Sequence, residues 1–515
     1  MIKRFFMLVI LLFVSIPIIV TLCNYAFAQY VSTAWVRRYN GPGNESDKAS
    51  ALAIDDSGNV YVTGNSPGSG TGNDYATIKY YPNGDTAWVR RYNGSADSAD
   101  RASAIAVDGS GNVYVTGYSY SYGIGYATIK YYPNGDTAWV RTYNGPGSVG
   151  GVGFAMAIDG SSNVYVTGYI TDPQTGWHYA TIKYYPNGDT AWVRIYGQGV
   201  YPSVNAVAIA LGPSGSVCVT GASYYSGRSY DYHTIKYDSS GNVLWTKLYN
   251  YDGPDVDCDI PWDLAVDGSG NVYVTGMSGG GWSDLYYDYA TIKYYPNGDT
   301  AWVRRYSGPG EHPDLAFAVT ADDSGNVYVT GQSYGWYATI KYYPNGDTAW
   351  VRTYGAGRAW DIAVDDSGNV YVTGQTLDSE TSFDYATIKY YPNGDTAWVR
   401  RYDGPENGWD DALALAVDGS GNVYVTGYSD QRHASPENFD YATIKYVELP
   451  FLRGDCDKNG SINLADVIRL ANYVLKGGLP PDPLQSGDVN CDGKYDLVDV
   501  IKLARYVLLG QPFPC

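Results

Sequence analysis

Near the C-terminus, side chains bearing oxygen recur at alternate positions. Asp455, Asp457, Asn459, Ser461, Asn463 and Asp466 fill positions 1, 3, 5, 7, 9 and 12 of a twelve-residue loop, with Gly460 at position 6. Asp488, Asn490, Asp492, Lys494, Asp496 and Asp499 repeat the pattern 33 residues later, around Gly493. This spacing suits a hard divalent cation. Oxygens from alternate residues converge on one ion, Gly permits the sharp turn, and the last carboxylate closes the sphere from the start of a helix. Position 7 gives only its backbone carbonyl, so Ser461 and Lys494 are equivalent there. The residues predict two calcium ions. Position 12 is Asp in both loops, where a calcium hand usually has Glu.

Each loop needs a helix after it. Val467, Ile468, Leu470, Val474 and Leu475 mark an apolar stripe after the first loop, and Val500, Ile501, Leu503, Val507 and Leu508 after the second. Pro and Gly fill the stretches before the loops, so no entering helix is expected. Two half-hands over Gly454–Cys515 resemble a type I dockerin. That resemblance implies a cohesin module of a scaffold protein as partner, in an extracellular assembly of the kind that degrades polysaccharides. It also places partner recognition on loop positions 10 and 11, which here are Leu464, Ala465, Leu497 and Val498. The helices of a dockerin run antiparallel, which implies a clasp between Cys456 and Cys515, with Cys491–Cys515 as the alternative.

The rest of the chain is periodic. Val-Tyr-Val-Thr-Gly begins at Val60, Val113, Val164, Val272, Val327, Val370 and Val423, with Val217-Cys-Val-Thr-Gly221 as an eighth, divergent copy; the spacing is 43 to 55 residues. Each unit adds a strand before it, Thr-Ile-Lys-Tyr after it, and a strand such as Thr137-Ala-Trp-Val-Arg141. Asp-x-Ser-Gly-Asn and Pro-Asn-Gly-Asp are hairpin turns between them. The units are therefore four-stranded antiparallel meanders, with strands A to D in chain order. They resemble the beta-propeller repeat family of bacterial secreted proteins. The family is usually seven-bladed, and a count of eight departs from it. The expected fold is an all-β eight-bladed β-propeller over 30–446, a linker at 447–453, and the small α-helical calcium-binding dockerin at 454–515. An orphan D-type strand, Ala34–Tyr39, stands before the first unit, and the last unit lacks D. The orphan can complete blade 8 and remove two open edges.

Residues 1–28 read as a signal peptide: Lys3 and Arg4, an apolar run from Phe5 to Leu22, and an Ala26-Phe27-Ala28 cleavage site. An uncleaved anchor is the alternative. Leu22 is too large to precede a lipidated Cys23. The formal charge of −19 argues against nucleic acid or anionic membrane as partner and suits a secreted protein, held at a cell surface only through a partner.

The A–B and C–D turns are nearly constant, whereas the B–C and D–A loops vary, and these share one face of the ring. That face is the candidate binding face. Eight Trp lie in D strands and read as packing; Trp177, Trp262, Trp282, Trp336, Trp360 and Trp409 fall in or beside variable loops, where they can stack on a sugar or a protein. Glu311, Asp314, Glu406, Asp410 and Asp411 are carboxylates in the variable loops, but none is assigned as catalytic. The four His show no metal-ligand spacing. The expected function is a non-catalytic binding or scaffold-type protein linked to polysaccharide. The alternatives are a hydrolase or lyase acting on glycosidic bonds, and an adhesive surface protein.

Overall fold

The computed structural model describes residues 29–120, 124–147, 150–197, 203–224, 230–251, 258–279, 287–310, 312–377, 382–431, 438–450, 454–456, 462–481, 484–489 and 494–509. The chain divides into two compact units, Thr33–Val447 and a smaller one containing Glu448–Cys515.

The first unit is an eight-bladed propeller. Blade 1 shows how the repeat builds it, with strands A (Lys48–Ile54), B (Val60–Pro67), C (Asn73–Tyr80) and D (Thr86–Tyr92) in one antiparallel sheet. The A–B turn is closed by its Asp. Asp55 Oδ1 accepts the N–H groups of Ser57 (3.0 Å) and Asn59 (2.9 Å), and Oδ2 accepts the Tyr61 hydroxyl at 2.8 Å. In the C–D turn Gly84 has φ +85°, and a Cβ there would lie 2.8 Å from the Trp35 ring. Only Gly lets one blade's turn meet its neighbour's tryptophan.

The A strands pack on one another around the ring, and the A strand of blade 8 (Asp410–Val417) returns to that of blade 1. The apolar cores lie between blades. One contains Tyr61, Tyr75 and Trp88 of blade 1 with Ala102, Val113 and Ile129 of blade 2. A belt of hydrogen bonds joins the C strands. Tyr75 donates to the Ala127 carbonyl, Tyr126 to Ala180, Tyr179 to His233, Tyr232 to Ala290, Tyr289 to Ala338, Tyr337 to Ala386, Tyr385 to Ala442 and Tyr441 back to Ala76. Burial holds these phenols well above their usual pKa, so they remain donors.

The N-terminal strand Gln29–Tyr39 is the D strand of blade 8, beside Phe439–Pro450. Trp35 Nε1 donates to the Pro82 carbonyl of blade 1 at 3.1 Å, as Trp88 does to Pro133 one blade on. Two connecting stretches are extended chain. The C strand of blade 8 continues to Pro450, so the first part of the stretch read as linker is extended chain. Between blades 6 and 7 the D–A connection, Gly355–Arg358, is not the variable loop expected there: Thr348–Val364 is one strand that serves as D of blade 6 and A of blade 7. Gly355 and Gly357, with φ +41° and +159°, let the chain pass between sheets without a turn.

In the smaller unit, helices α1 (Leu464–Lys476) and α2 (Leu497–Leu509) enclose a core of Cys456, Val467, Leu470, Val489, Val500 and Leu503. Asn463 caps α1 by accepting the Ala465 N–H at 2.8 Å, and Gly477 ends it at φ +63°.

Candidate functional site

On the B–C/D–A face, a depression of about 260 Å³ spans blades 6 to 8, with Gln332, Arg358, Gln375, Leu377, Phe383 and Trp409 in its lining. Two short connections form it. One is the continuous strand just described. The other is the B–C hairpin of blade 6, where Tyr334 and Gly335 take φ +54° and +77° and Ser333 pairs directly with Trp336. Phe383 and Trp409 have ring centroids 5.5 Å apart. Trp409 Nε1 donates to Gln375 Oε1 and Arg358 Nε to Gln332 Oε1, both at 2.8 Å. The Arg358 guanidinium lies 5.8 Å over the Trp360 ring.

Of the six tryptophans singled out by sequence, Trp409 lines this depression and Trp360 supports Arg358. Trp336, exposed, pairs with Ala356 beside it. Trp262 packs on Phe317, which in turn packs on Trp360, forming a row of rings on the innermost strands. Trp177 is exposed and stacked on Tyr169 in blade 3, away from that group. Trp282 lies outside the described residues. The two glutamines carried a signal that sequence reasoning missed. Both follow Val-Tyr-Val-Thr-Gly, where the other blades have Asn65, Tyr118, Tyr169, Ala222, Met277 and Tyr428.

Three of the five variable-loop carboxylates hold the scaffold together. Asp314 accepts the Gly308 N–H and Asp410 the Gly404 N–H, both at 2.6 Å; Asp47 and Asp100 do the same for Gly41 and Gly94. Asp411 Oδ1 accepts Trp360 Nε1 (2.8 Å) and Oδ2 the Tyr428 hydroxyl (3.1 Å). Burial pushes Asp410 up to about 6 and Asp411 up to about 7. Glu406 is exposed; Glu311 lies outside the described residues. Asp384, Asp403 and Asp410 bring carboxylate oxygens within 4.8 Å of one another. His178 bonds Thr175 at 2.7 Å, and His233 is buried edge-on to Tyr196, its pKa lowered by burial to about 4.

In the smaller unit the two loops close identically. Asp466 Oδ1 accepts the Cys456 N–H (2.7 Å) and Oδ2 the Asn463 N–H (2.8 Å); Asp499 accepts those of Val489 and Asp496, both at 2.9 Å. Loop positions 2, 9 and 12 are thus tied together twice, 33 residues apart. Residues 453–508 match the dockerin type I domain family. The chain carries a type I dockerin domain there. Residues 34–70, 87–125 and 359–379 match the beta-propeller repeat family. Comparison with curated proteins gave no match. Among solved structures, Sqt1 from Chaetomium thermophilum aligns with a TM-score of 0.50 at 9% identity, over 82% of this chain and 100% of that one. The C-terminal WD40 domain of Sif2 aligns at 0.47 and 8%, over 82% and 99%. A family PL25 ulvan lyase, a polysaccharide lyase, aligns at 0.42 and 10%, over 71% and 95%. These identities speak to the fold alone.

Type I dockerin domains generally bind calcium. The described loop residues fit such an ion. Asp455 and Asp466, positions 1 and 12 of the first loop, are both buried, as is Asp499 at position 12 of the second, and buried carboxylates are costly unless a cation balances them. The bonds of Asp466 and Asp499 aim their carboxyl groups at the loop. Asp488, Asn463 and Asp496 stand at the remaining described positions, and the Lys494 side chain is exposed, as a residue offering its carbonyl permits. Asp457, Asn459, Ser461, Asn490 and Asp492 lie outside the described residues.

All four residues at loop positions 10 and 11 are exposed: Leu464, Ala465, Leu497 and Val498. The apolar stripe needs correction. Ile468, Leu475, Ile501 and Leu508 do not face the dockerin core but are exposed beside those positions, whereas Val467, Leu470, Val500 and Leu503 are buried. The apolar surface is too wide for one core in so small a domain. The Cys456 clasp also needs correction. Cys456 is a free thiol packed in the dockerin core, and burial pushes its pKa up to about 12; it acts as a small apolar residue. Cys491 and Cys515 lie outside the described residues.

Proposed function

We propose that this is a secreted, non-catalytic binding protein, fastened by its dockerin in a calcium-dependent manner to a cohesin-bearing extracellular assembly. The propeller's variable face meets a polysaccharide. The observation that carries the reading is a duplicated apolar row: Leu464, Ile468 and Leu475 on α1, and Leu497, Ile501 and Leu508 on α2, all exposed and related by the same 33-residue offset. A contiguous exposed apolar surface marks an interaction site. Its duplication supports one partner seated in either of two orientations. Support for export comes from the leader-like N-terminus; among the described residues no helix is long and apolar enough to cross a membrane.

The test is binding of the full chain to a panel of immobilised cohesin modules. Capture is expected in calcium and not in chelator. Charging one pair, Leu464→Asp with Ala465→Asp, removes one of two orientations and should weaken binding about twofold, since affinity follows the number of equivalent modes. Charging Leu497 and Val498 as well should abolish it. Full-strength capture of that fourfold variant in calcium would overturn the reading.

A further inference from the structure

The depression across blades 6 to 8 has an unusual polar lining. Trp Nε1 and Arg Nε can only donate. The amide atom that Trp409 meets on Gln375, and that Arg358 meets on Gln332, must therefore be oxygen, whatever ambiguity attends glutamine orientation elsewhere. With each amide oxygen held toward an internal donor, the two side-chain NH2 groups are left to turn N–H toward a ligand. Arg358 adds the two terminal nitrogens of an exposed guanidinium, a planar fork that suits a carboxylate. Among the described residues, the polar side chains lining the depression present donors and a positive charge. Beside them stand Trp409 and Phe383, partly exposed rings of the kind on which a sugar face stacks.

We propose that this depression binds an acidic sugar residue, a carboxylate-bearing hexose within a polysaccharide, with Arg358, Gln332 and Gln375 on the carboxylate and Trp409 under the ring. The proposal rests on the reading of the variable face as a polysaccharide-binding face and narrows it to one ligand class. The volume of about 260 Å³ lies just below the usual range for small-molecule pockets, which begins at about 300 Å³, and fits one ring rather than a chain. Exposed Trp336 flanks the depression and can meet the next residue. Only blades 6 and 7 carry Gln after Val-Tyr-Val-Thr-Gly, so no other blade can repeat this pair of amides at that position. The net charge of −19 repels polyanions at long range, so short acidic oligosaccharides, rather than dense polymers, are the sharper probe.

Calorimetry of the full chain with trigalacturonate, its methyl ester, maltotriose and a sulfated galactan trisaccharide tests this. The acid should bind. Esterification, which removes the charge and keeps the ring, should weaken binding roughly tenfold to a hundredfold, as expected for a lost charged hydrogen-bonding partner. Gln375→Glu keeps an oxygen for Trp409 Nε1 and turns a carboxylate into the pocket, so it should abolish binding of the acid; Arg358→Gln should weaken it by the same factor as esterification. The unfolding temperature checks that each variant folds. Equal binding of acid and ester, or undiminished binding by Gln375→Glu, overturns the assignment. Tight binding of the sulfated probe with none of the acid overturns the carboxylate. Binding of maltotriose alone overturns this inference and leaves the broader binding reading standing, whereas failure of every sugar on the panel overturns both.

Discussion

Replacing one tryptophan tests whether the ring is closed by its N-terminal strand. Trp35 and Trp88 occupy equivalent D-strand positions in blades 8 and 1. Each is 7% exposed, donates Nε1 to a proline carbonyl of the next blade at 3.1 Å, and carries an arginine at 5.7 Å over its ring. Tyr80 lies 5.9 Å from Trp35 and Tyr131 lies 6.0 Å from Trp88. Truncating a buried tryptophan to alanine costs about 3–5 kcal/mol. Unfolding temperatures fall by about 2–4 °C per kcal/mol at 150–250 residues and by less in larger units, so about 1–2 °C per kcal/mol applies to a ring spanning Thr33–Val447. Trp35→Ala and Trp88→Ala should therefore each lower the propeller transition in calorimetry by about 3–10 °C, and by similar amounts. Trp35→Ala should also promote self-association in light scattering, because a frayed first strand exposes the edge of Phe439–Pro450. If Trp88→Ala lowers the transition and Trp35→Ala leaves it unchanged, the N-terminal strand does not close the ring.

Two further outcomes follow from buried groups. Burial raises the Asp411 carboxyl from 3.8 to about 7, so the folded state holds a proton that the unfolded state has released, and stability falls as pH rises from about 4 to 7. Asp411→Asn, which can still accept from Trp360, should gain on the wild type by a few kcal/mol more at pH 8 than at pH 5 in denaturant unfolding, on the order set by the shift; an equal difference at both pH values refutes this. Chelating calcium should unfold the dockerin and spare the propeller, exposing Cys456 to iodoacetamide while buried Cys218 stays protected, as peptide mapping would read. Labelling of Cys456 at the same rate with and without chelator refutes it.

Periodic features were legible because they obey local rules. The strand Val-x-Val-Thr-Gly recurs eight times and the turn Asp seven, so blade count, strand order and closure by Ala34–Tyr39 could be read from the chain. Legibility failed where local patterning had two solutions. Gly355-Ala-Gly357 has loop composition, yet its glycines join two strands into one. Ile468 and Val467 are adjacent and equally apolar, and only the packing of α1 on α2 decides which one is buried. The depression needed more still, since Gln332, Arg358 and Gln375 come from three strands and Trp409 from a D–A loop, and their hydrogen bonds depend on how blades 6 to 8 meet.

The larger cavity of the propeller, about 330 Å³ between the A–B turns of blades 1 and 2, shows why volume is a poor guide to function here. The charged groups of Asp55, Asp108 and Lys79 in its lining are occupied. Asp55 and Asp108 accept from the backbone of their own turns and from Tyr61 and Tyr114, and Lys79 donates to the Pro133 carbonyl at 3.3 Å while lying 5.1 Å over the Tyr61 ring. The constant face spends its chemistry on holding blade to blade, and every blade must do the same for the ring to close. Binding chemistry can then arise only where the repeat is broken by residues the scaffold does not need. Gln332, Arg358, Gln375 and Trp409 are such residues: they engage one another through one hydrogen bond each and leave donors over. A smaller cavity with unspent hydrogen-bonding capacity is the better place to look for a ligand than a larger one whose Asp55, Asp108 and Lys79 already hold the scaffold.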